Sequence, residues 1–138
     1  PHKIVVGCKP ALRQAVADVL MASNINFDRV KIEYCSIAEA SFFKYMANSM
    51  LAMKVVMNNE FYDVAQGLGL DWNSLTSIAS TDSRLGNTHW AVPGPDGRRG
   101  FGGACFPKDT TALESIAKKI AVETTMLSTA ISTNKKYR

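Results

Sequence analysis

Cysteine is scarce in this chain: Cys8, Cys35 and Cys105 are the only three among 138 residues. An odd count without paired metal-ligand spacing argues against a disulfide framework and against a zinc site. A reducing, cytoplasmic setting is the simpler expectation. No apolar run is long enough to span a bilayer. The opening Pro1-His2-Lys3 lacks a Met and reads as no secretory leader, so that a fragment or a trimmed chain without one is expected. There is no internal repeat and no low-complexity tract. Charge is modest: the formal net value is +4, and the only dense basic runs are Arg98-Arg99 and Lys135-Lys136-Tyr137-Arg138. Such a balance mildly favours anionic ligands but is too small and too scattered for a nucleic-acid footprint. What the chain does have is apolar content, 46% of its residues. That is enough for a real core at the length of one ordinary domain.

Lys3-Ile4-Val5-Val6-Gly7-Cys8 reads as a short buried strand ended by glycine. Ala11 to Met21 has helical spacing, and Val30-Lys31-Ile32-Glu33-Tyr34 alternates as a half-exposed strand does. Together they predict a small β-α-β piece at the end of an α/β domain. From Ala38 to about Gly67 the pattern is helical and unbroken by Gly or Pro. Phe42, Tyr45, Met46, Met50, Met53, Val56, Met57, Phe61 and Val64 form a wide apolar stripe. So much apolar surface needs a partner, either a second copy of the chain or later helices wrapped around it. Gly67-Leu68-Gly69 ends this helix. Asp71 or Asn73 caps a short helix through Ala79. Ser80 to Ala104 is a long loop with Pro93-Gly94-Pro95-Asp96-Gly97 at its middle, a length usually tied to function. After Pro107 the pattern is helical again to near the C-terminus. The expected architecture is mostly α: a helical domain with one very long helix, preceded by a short β-α-β remnant.

The densest chemistry lies in Gly100-Phe101-Gly102-Gly103-Ala104-Cys105-Phe106-Pro107-Lys108-Asp109. Proline is favoured at the first helical position, which puts Cys105 just outside a helix N-terminus. The positive end of the helix, with Lys108 nearby, favours the reactive thiolate form of a cysteine. Asp109, four residues on, is close enough to share a site with the sulfur. Gly102 and Gly103 lack side-chain bulk, so their main-chain N–H groups can approach a ligand. On the long helix, Lys44 and Asn48 stand four apart on one face. A cation and an amide so placed can hydrogen-bond a developing oxyanion.

In order, the chain carries Glu39, Lys44-x3-Asn48-x3-Ala52-x-Lys54, Asn59-Glu60, Asp82-x-Arg84-Leu85-Gly86, the cysteine run, and Leu113. This succession resembles the central domain of the UDP-glucose/GDP-mannose 6-dehydrogenase family over about residues 36 to 134. The resemblance implies that residues 1–35 are the C-terminal end of a Rossmann-like NAD-binding domain and that residues 36–138 are the helical central domain. Two departures stand out. The G-x-G-x-x-G fingerprint of a dinucleotide site is missing from this chain, and Leu85 replaces the isoleucine usual in the Arg-Ile-Gly segment.

The resemblance further implies oxidation of a sugar C6 alcohol to a carboxylate with NAD, UDP-glucose being the expected substrate, in the service of polysaccharide biosynthesis. On that reading Cys105 is the nucleophile that forms a thioester, Lys44 and Asn48 stabilise charge on the C6 oxygen, and Asp109 holds or activates water. Phe101, Gly102 and Gly103 would touch the nucleotide-sugar through main-chain groups, and Glu39 would line the sugar site. Arg84 would reach across a homodimer to the partner's substrate. Lys108 would face the cofactor. Arg98 and Arg99 would either meet the diphosphate or lie in solvent. No metal, nucleic acid or membrane partner is implied. A different class of function is a non-catalytic dimerisation and substrate-positioning module that needs separate nucleotide-binding domains. A cysteine acyl-transfer enzyme would want a histidine at the sulfur, and His89 is the loop candidate, with His2 set aside as a chain end.

Overall fold

The chain is seen here as a computed structural model that describes residues 3–23 and 30–138; His2 lies outside them. It forms two compact units, Pro1–Lys44 and Tyr45–Arg138.

In the first unit, β1 (Lys3–Gly7) pairs in parallel with β2 (Lys31–Cys35), and Lys3 faces Lys31 while Gly7 faces Cys35. A 3-10 turn at Pro10–Leu12 leads into α1 (Arg13–Met21). Parallel strands need a crossover connection, so this is the predicted β-α-β piece. Gly7 has a packing reason to be glycine, since a Cβ there would lie 2.8 Å from the Ala40 Cβ.

Helix α2 (Ile37–Gly67) is 31 residues long, about 46 Å at the usual rise. It begins in a reciprocal cap: the Ser36 N–H donates to Glu39 Oε2 at 2.8 Å and the Glu39 N–H donates to Ser36 Oγ at 3.2 Å. That is the Ser-x-x-Glu capping box, which satisfies two donors the first turn would otherwise leave open. The far end closes around Gly69 at φ +69°, with the Leu70 N–H bonded to Ala65 O and the Gly69 N–H to Gln66 O. Only a residue free to take positive φ closes this motif without strain.

The second unit adds α3 (Trp72–Thr81), α4 (Phe106–Lys119) and α5 (Thr125–Asn134). Asp71 caps α3, accepting from the Asn73 and Ser74 N–H groups at 3.1 Å each, which decides the capping question for Asp71. One core cluster holds Ala52, Val56, Phe101 and Ala130, with Phe106 and Tyr137 packed against it. The other holds Ala65, Trp72 and Val92, with Tyr62 edge-on to Trp72 at 5.8 Å. The long loop from Asp82 to Cys105 thus sends Val92 and Phe101 into the core.

The C-terminal helix is not continuous as expected. It breaks at Ile120–Thr124, where Ala121 takes φ +56°. The Val122 N–H bonds to Ala117 O at 2.9 Å and the Ala121 N–H to Lys118 O at 3.2 Å, the same two-bond closure as at Gly69. Alanine rather than glycine occupies the left-handed position, so the break carried no visible mark. Along α2, Phe42, Met46, Met50, Met57, Phe61 and Val64 remain exposed.

Candidate active site

Cys105 is the residue immediately before α4 and its side chain is exposed. Pro107 stands in the first turn, where its missing N–H costs nothing. The Asp109 main-chain N–H donates to Cys105 O at 2.8 Å, closing that turn on the cysteine. The sulfur therefore sits at the open, positive end of a 14-residue helix.

Asp109 is fully buried. A buried carboxylate needs partners that replace its water. Asn48 Nδ2, from α2, donates to Asp109 Oδ2 at 2.5 Å, and the Lys108 ammonium pairs with Oδ1. The contact joins α2 to α4, and it leaves the second hydrogen of the Asn48 amide for another acceptor. The hydrogen bond to Asp109 raises the Lys108 pKa above its ordinary value. Partial burial opposes the rise, and the charges of Asp109, Cys105 and Tyr45 add to it. Asn48, Cys105, Lys108 and Asp109 are thus brought together. Lys44 precedes Asn48 by four residues on α2 and is exposed; it closes the first unit.

The loop before α4 is tied down by polar groups the sequence did not single out for that task. Lys54 Nζ donates to Leu85 O at 2.9 Å and Thr88 O at 2.6 Å, and lies 3.9 Å from the Trp90 ring centre. Burial lowers the Lys54 pKa. Asn58 Nδ2 donates to His89 O at 2.9 Å. His89 packs its ring against Phe106, 5.5 Å between centres, with Nδ1 2.8 Å from Thr88 Oγ1. Burial first, and the Lys54 charge second, lower the His89 pKa and favour its neutral form. Among the described residues no hydrogen bond joins His89 to Cys105, so the pairing an acyl-transfer enzyme needs is not formed.

Several expected site residues are otherwise engaged. Phe101 buries its ring, and both its main-chain polar groups bond to Asn134: the N–H to Oδ1 at 2.7 Å, the C=O to Nδ2 at 2.9 Å. Both main-chain polar groups of Phe101 are therefore engaged within the chain. Gly102 and Gly103 differ, because among the described residues no acceptor is bonded to either N–H. Arg99 is half-buried and engaged within the chain. It pairs with Asp63 at 2.8 Å, donates to Asn59, and lies over Tyr137 at 4.5 Å. Glu39 spends its carboxylate in the α2 capping box. Arg84 is exposed and chelates Asp82, with Nη2 2.6 Å from Oδ2. Lys108 turns to Asp109, within the cluster.

The β-α-β piece does not fit a dinucleotide diphosphate. The turn after β1 reads Gly7-Cys8-Lys9-Pro10, and its glycine is closed off by Ala40. No helix among the described residues is long and apolar enough to cross a membrane.

Residues 38–136 match the family model described as "UDP-glucose/GDP-mannose dehydrogenase family, central domain". A UDP-glucose 6-dehydrogenase of Rickettsia bellii is 37% identical over 137 residues, covering 98% of this chain. One from Rickettsia typhi is 31% identical over 135 residues, again 98% of this chain. The chain spans 30% of the length of these two curated relatives. Among solved structures, a UDP-glucose dehydrogenase from the hyperthermophilic archaeon Pyrobaculum islandicum superposes with a TM-score of 0.81 at 27% identity. That alignment covers 99% of this chain and 29% of that one.

Proposed function

The chain belongs to the UDP-glucose/GDP-mannose dehydrogenase family, and from that premise we propose that it is the part of a nucleotide-sugar 6-dehydrogenase that performs the covalent chemistry, with Cys105 as nucleophile. One observation carries the reading: an exposed cysteine at the mouth of α4, one turn from a buried Asp109 held by Asn48.

Converting a C6 alcohol to an acid removes four electrons in two hydride transfers. The first yields an aldehyde, which has no tetrahedral C–H left to donate. The Cys105 thiolate adds to the aldehyde carbon, forming a C–S bond and an alkoxide at C6. The second hydride then leaves that carbon and a thioester results. Water adds to the thioester carbon, the C–S bond breaks, the thiolate departs and the carboxylate is released. NAD⁺ is the proposed hydride acceptor. The residues of this chain fit no diphosphate cradle for it, so no step is assigned to them there.

Each remaining role falls to a named group. The free hydrogen of the Asn48 amide, and Lys44 one turn earlier on α2, stabilise the negative C6 oxygen. Asp109 orients the water that opens the thioester and takes its proton. Gly102 and Gly103 present main-chain N–H groups to the nucleotide-sugar, for which UDP-glucose is the proposed identity. Glu39, Arg84 and Lys108 remain the proposed contacts to sugar, partner substrate and cofactor. Three unpaired cysteines suit a cytoplasmic enzyme.

The test is direct. In an active enzyme built around this chain, acid quenching during UDP-glucose oxidation should trap an acyl adduct on the Cys105 peptide, read by mass spectrometry. Replacing Asp109 with asparagine should increase that adduct. Turnover with no adduct on Cys105 in either protein would refute the mechanism.

The exposed apolar stripe of α2 supports a second role, a homodimer formed through that helix. Sedimentation of the chain at micromolar concentration should give a dimer. Substituting Met50 and Phe61 by glutamate should give a monomer. A monomeric parent chain would remove this part of the proposal.

A further inference from the structure

The segment that precedes Cys105 is held from two sides by buried side-chain amides. Asn134, the last residue of α5, is 8% exposed. Its two bonds to the Phe101 main chain repeat the exchange between facing strand residues. Only a group that accepts and donates side by side can do this, and Asn does so in one amide orientation alone. Asn59, on α2, is 1% exposed. Its Oδ1 accepts from the Gly100 N–H at 3.3 Å and from Arg99 Nε at 3.0 Å, while its Nδ2 donates to Val55 O at 2.8 Å. Gly100 has φ +69°, and a Cβ there would collide with Asn134 Oδ1. The approach of the amide therefore demands glycine at that position. The N–H groups of Gly100 and Phe101 both point inward to these amides. The next two, at Gly102 and Gly103, have no acceptor among the described residues.

We propose that Asn134 and Asn59 are positioning residues: by consuming the N–H groups at 100 and 101, they aim those at 102 and 103 toward acceptor oxygens of the nucleotide-sugar handled at Cys105. The proposal rests on the reading of this segment as a nucleotide-sugar contact. A backbone with two consecutive N–H groups bonded inward and the next two bonded to no acceptor among the described residues is a fixed donor pair, and such preorganisation is what a binding loop must otherwise supply on contact.

The experiment uses UDP-glucose as the probe and an active enzyme built around this chain. Asn134→Ala should weaken UDP-glucose binding about tenfold at every pH. Alkylation of Cys105 by iodoacetamide should stay within about twofold of the parent, because the α4 end is untouched. Asn134→Asp separates positioning from bulk. As a carboxylate it accepts from the Phe101 N–H but faces the Phe101 C=O with no hydrogen; protonated, it restores both bonds. Its affinity relative to the parent should therefore be poor near about pH 8 and recover as the pH falls toward about 5.5. Parent-like affinity in both variants, or an Asn134→Asp defect that ignores pH, would overturn the proposal. Should neither variant fold, amide exchange in the parent decides: Gly100 and Phe101 must exchange far more slowly than Gly102 and Gly103, and equal rates overturn it. A parent that binds no UDP-glucose would instead strike the functional reading, and the exchange pattern would still judge the clamp.

Discussion

Replacing Cys105 with serine is expected to lower acid production by on the order of 10³-fold or more while the nucleotide-sugar still binds. The side chain is exposed at the start of α4, so its replacement should leave the fold intact and remove only the proposed nucleophile. In the proposed mechanism the first hydride transfer does not involve the sulfur. NADH should therefore rise by up to about one equivalent per bound substrate and then stall. A serine hydroxyl is far less ionised than a thiol near neutrality, and it forms an ester that water opens more slowly. Stopped-flow absorbance, with product analysis by mass spectrometry, reads both phases. Normal release of acid by the serine variant would remove Cys105 from the mechanism.

Asn48→Ala is expected to act on rate and on stability at once. If the amide stabilises the C6 oxyanion, its removal costs about 10²–10³ in kcat. The same amide donates to a carboxylate that is completely buried. Truncation strips Asp109 of that donor and costs about 1–3 kcal/mol of stability. The two losses separate experimentally. Thermal or denaturant unfolding of the chain alone reads the second, and turnover reads the first. A variant with parental turnover and a lowered melting point would leave Asn48 a structural role only. A variant unchanged in both would contradict the geometry of the site.

What could be read in advance had local causes. The 31-residue α2 followed from an uninterrupted helical pattern, and the place of Cys105 from a proline two residues later. Asp71 as a cap and the β-α-β piece were legible for the same reason. Glu39 shows a local signal passed over: Ser36-x-x-Glu39 is a capping box, and its carboxylate closes α2. The break at Ala121 was hidden because the residue in the left-handed position is not glycine. The roles of Asn59 and Asn134 were hidden for another reason. Their partners lie 41 and 33 residues away, and no periodicity reports which buried amide will meet which stretch of main chain. The contacts of Arg99 with Asp63 and Tyr137 were hidden in the same way, since both partners come from distant turns of chain.

The thioethers on α2 make its apolar face sensitive to peroxide. Met46, Met50 and Met57 are 39%, 60% and 48% exposed. Peroxide converts each accessible thioether into a sulfoxide, a polar and chiral group on an otherwise oily stripe. Each oxygen taken up weakens the stripe's grip on any apolar counterpart and shields nothing in return. Mild oxidants therefore label and erode this stripe, together with the exposed Met21 of α1 and Met126 of α5, and keeping the surface native requires excluding peroxide.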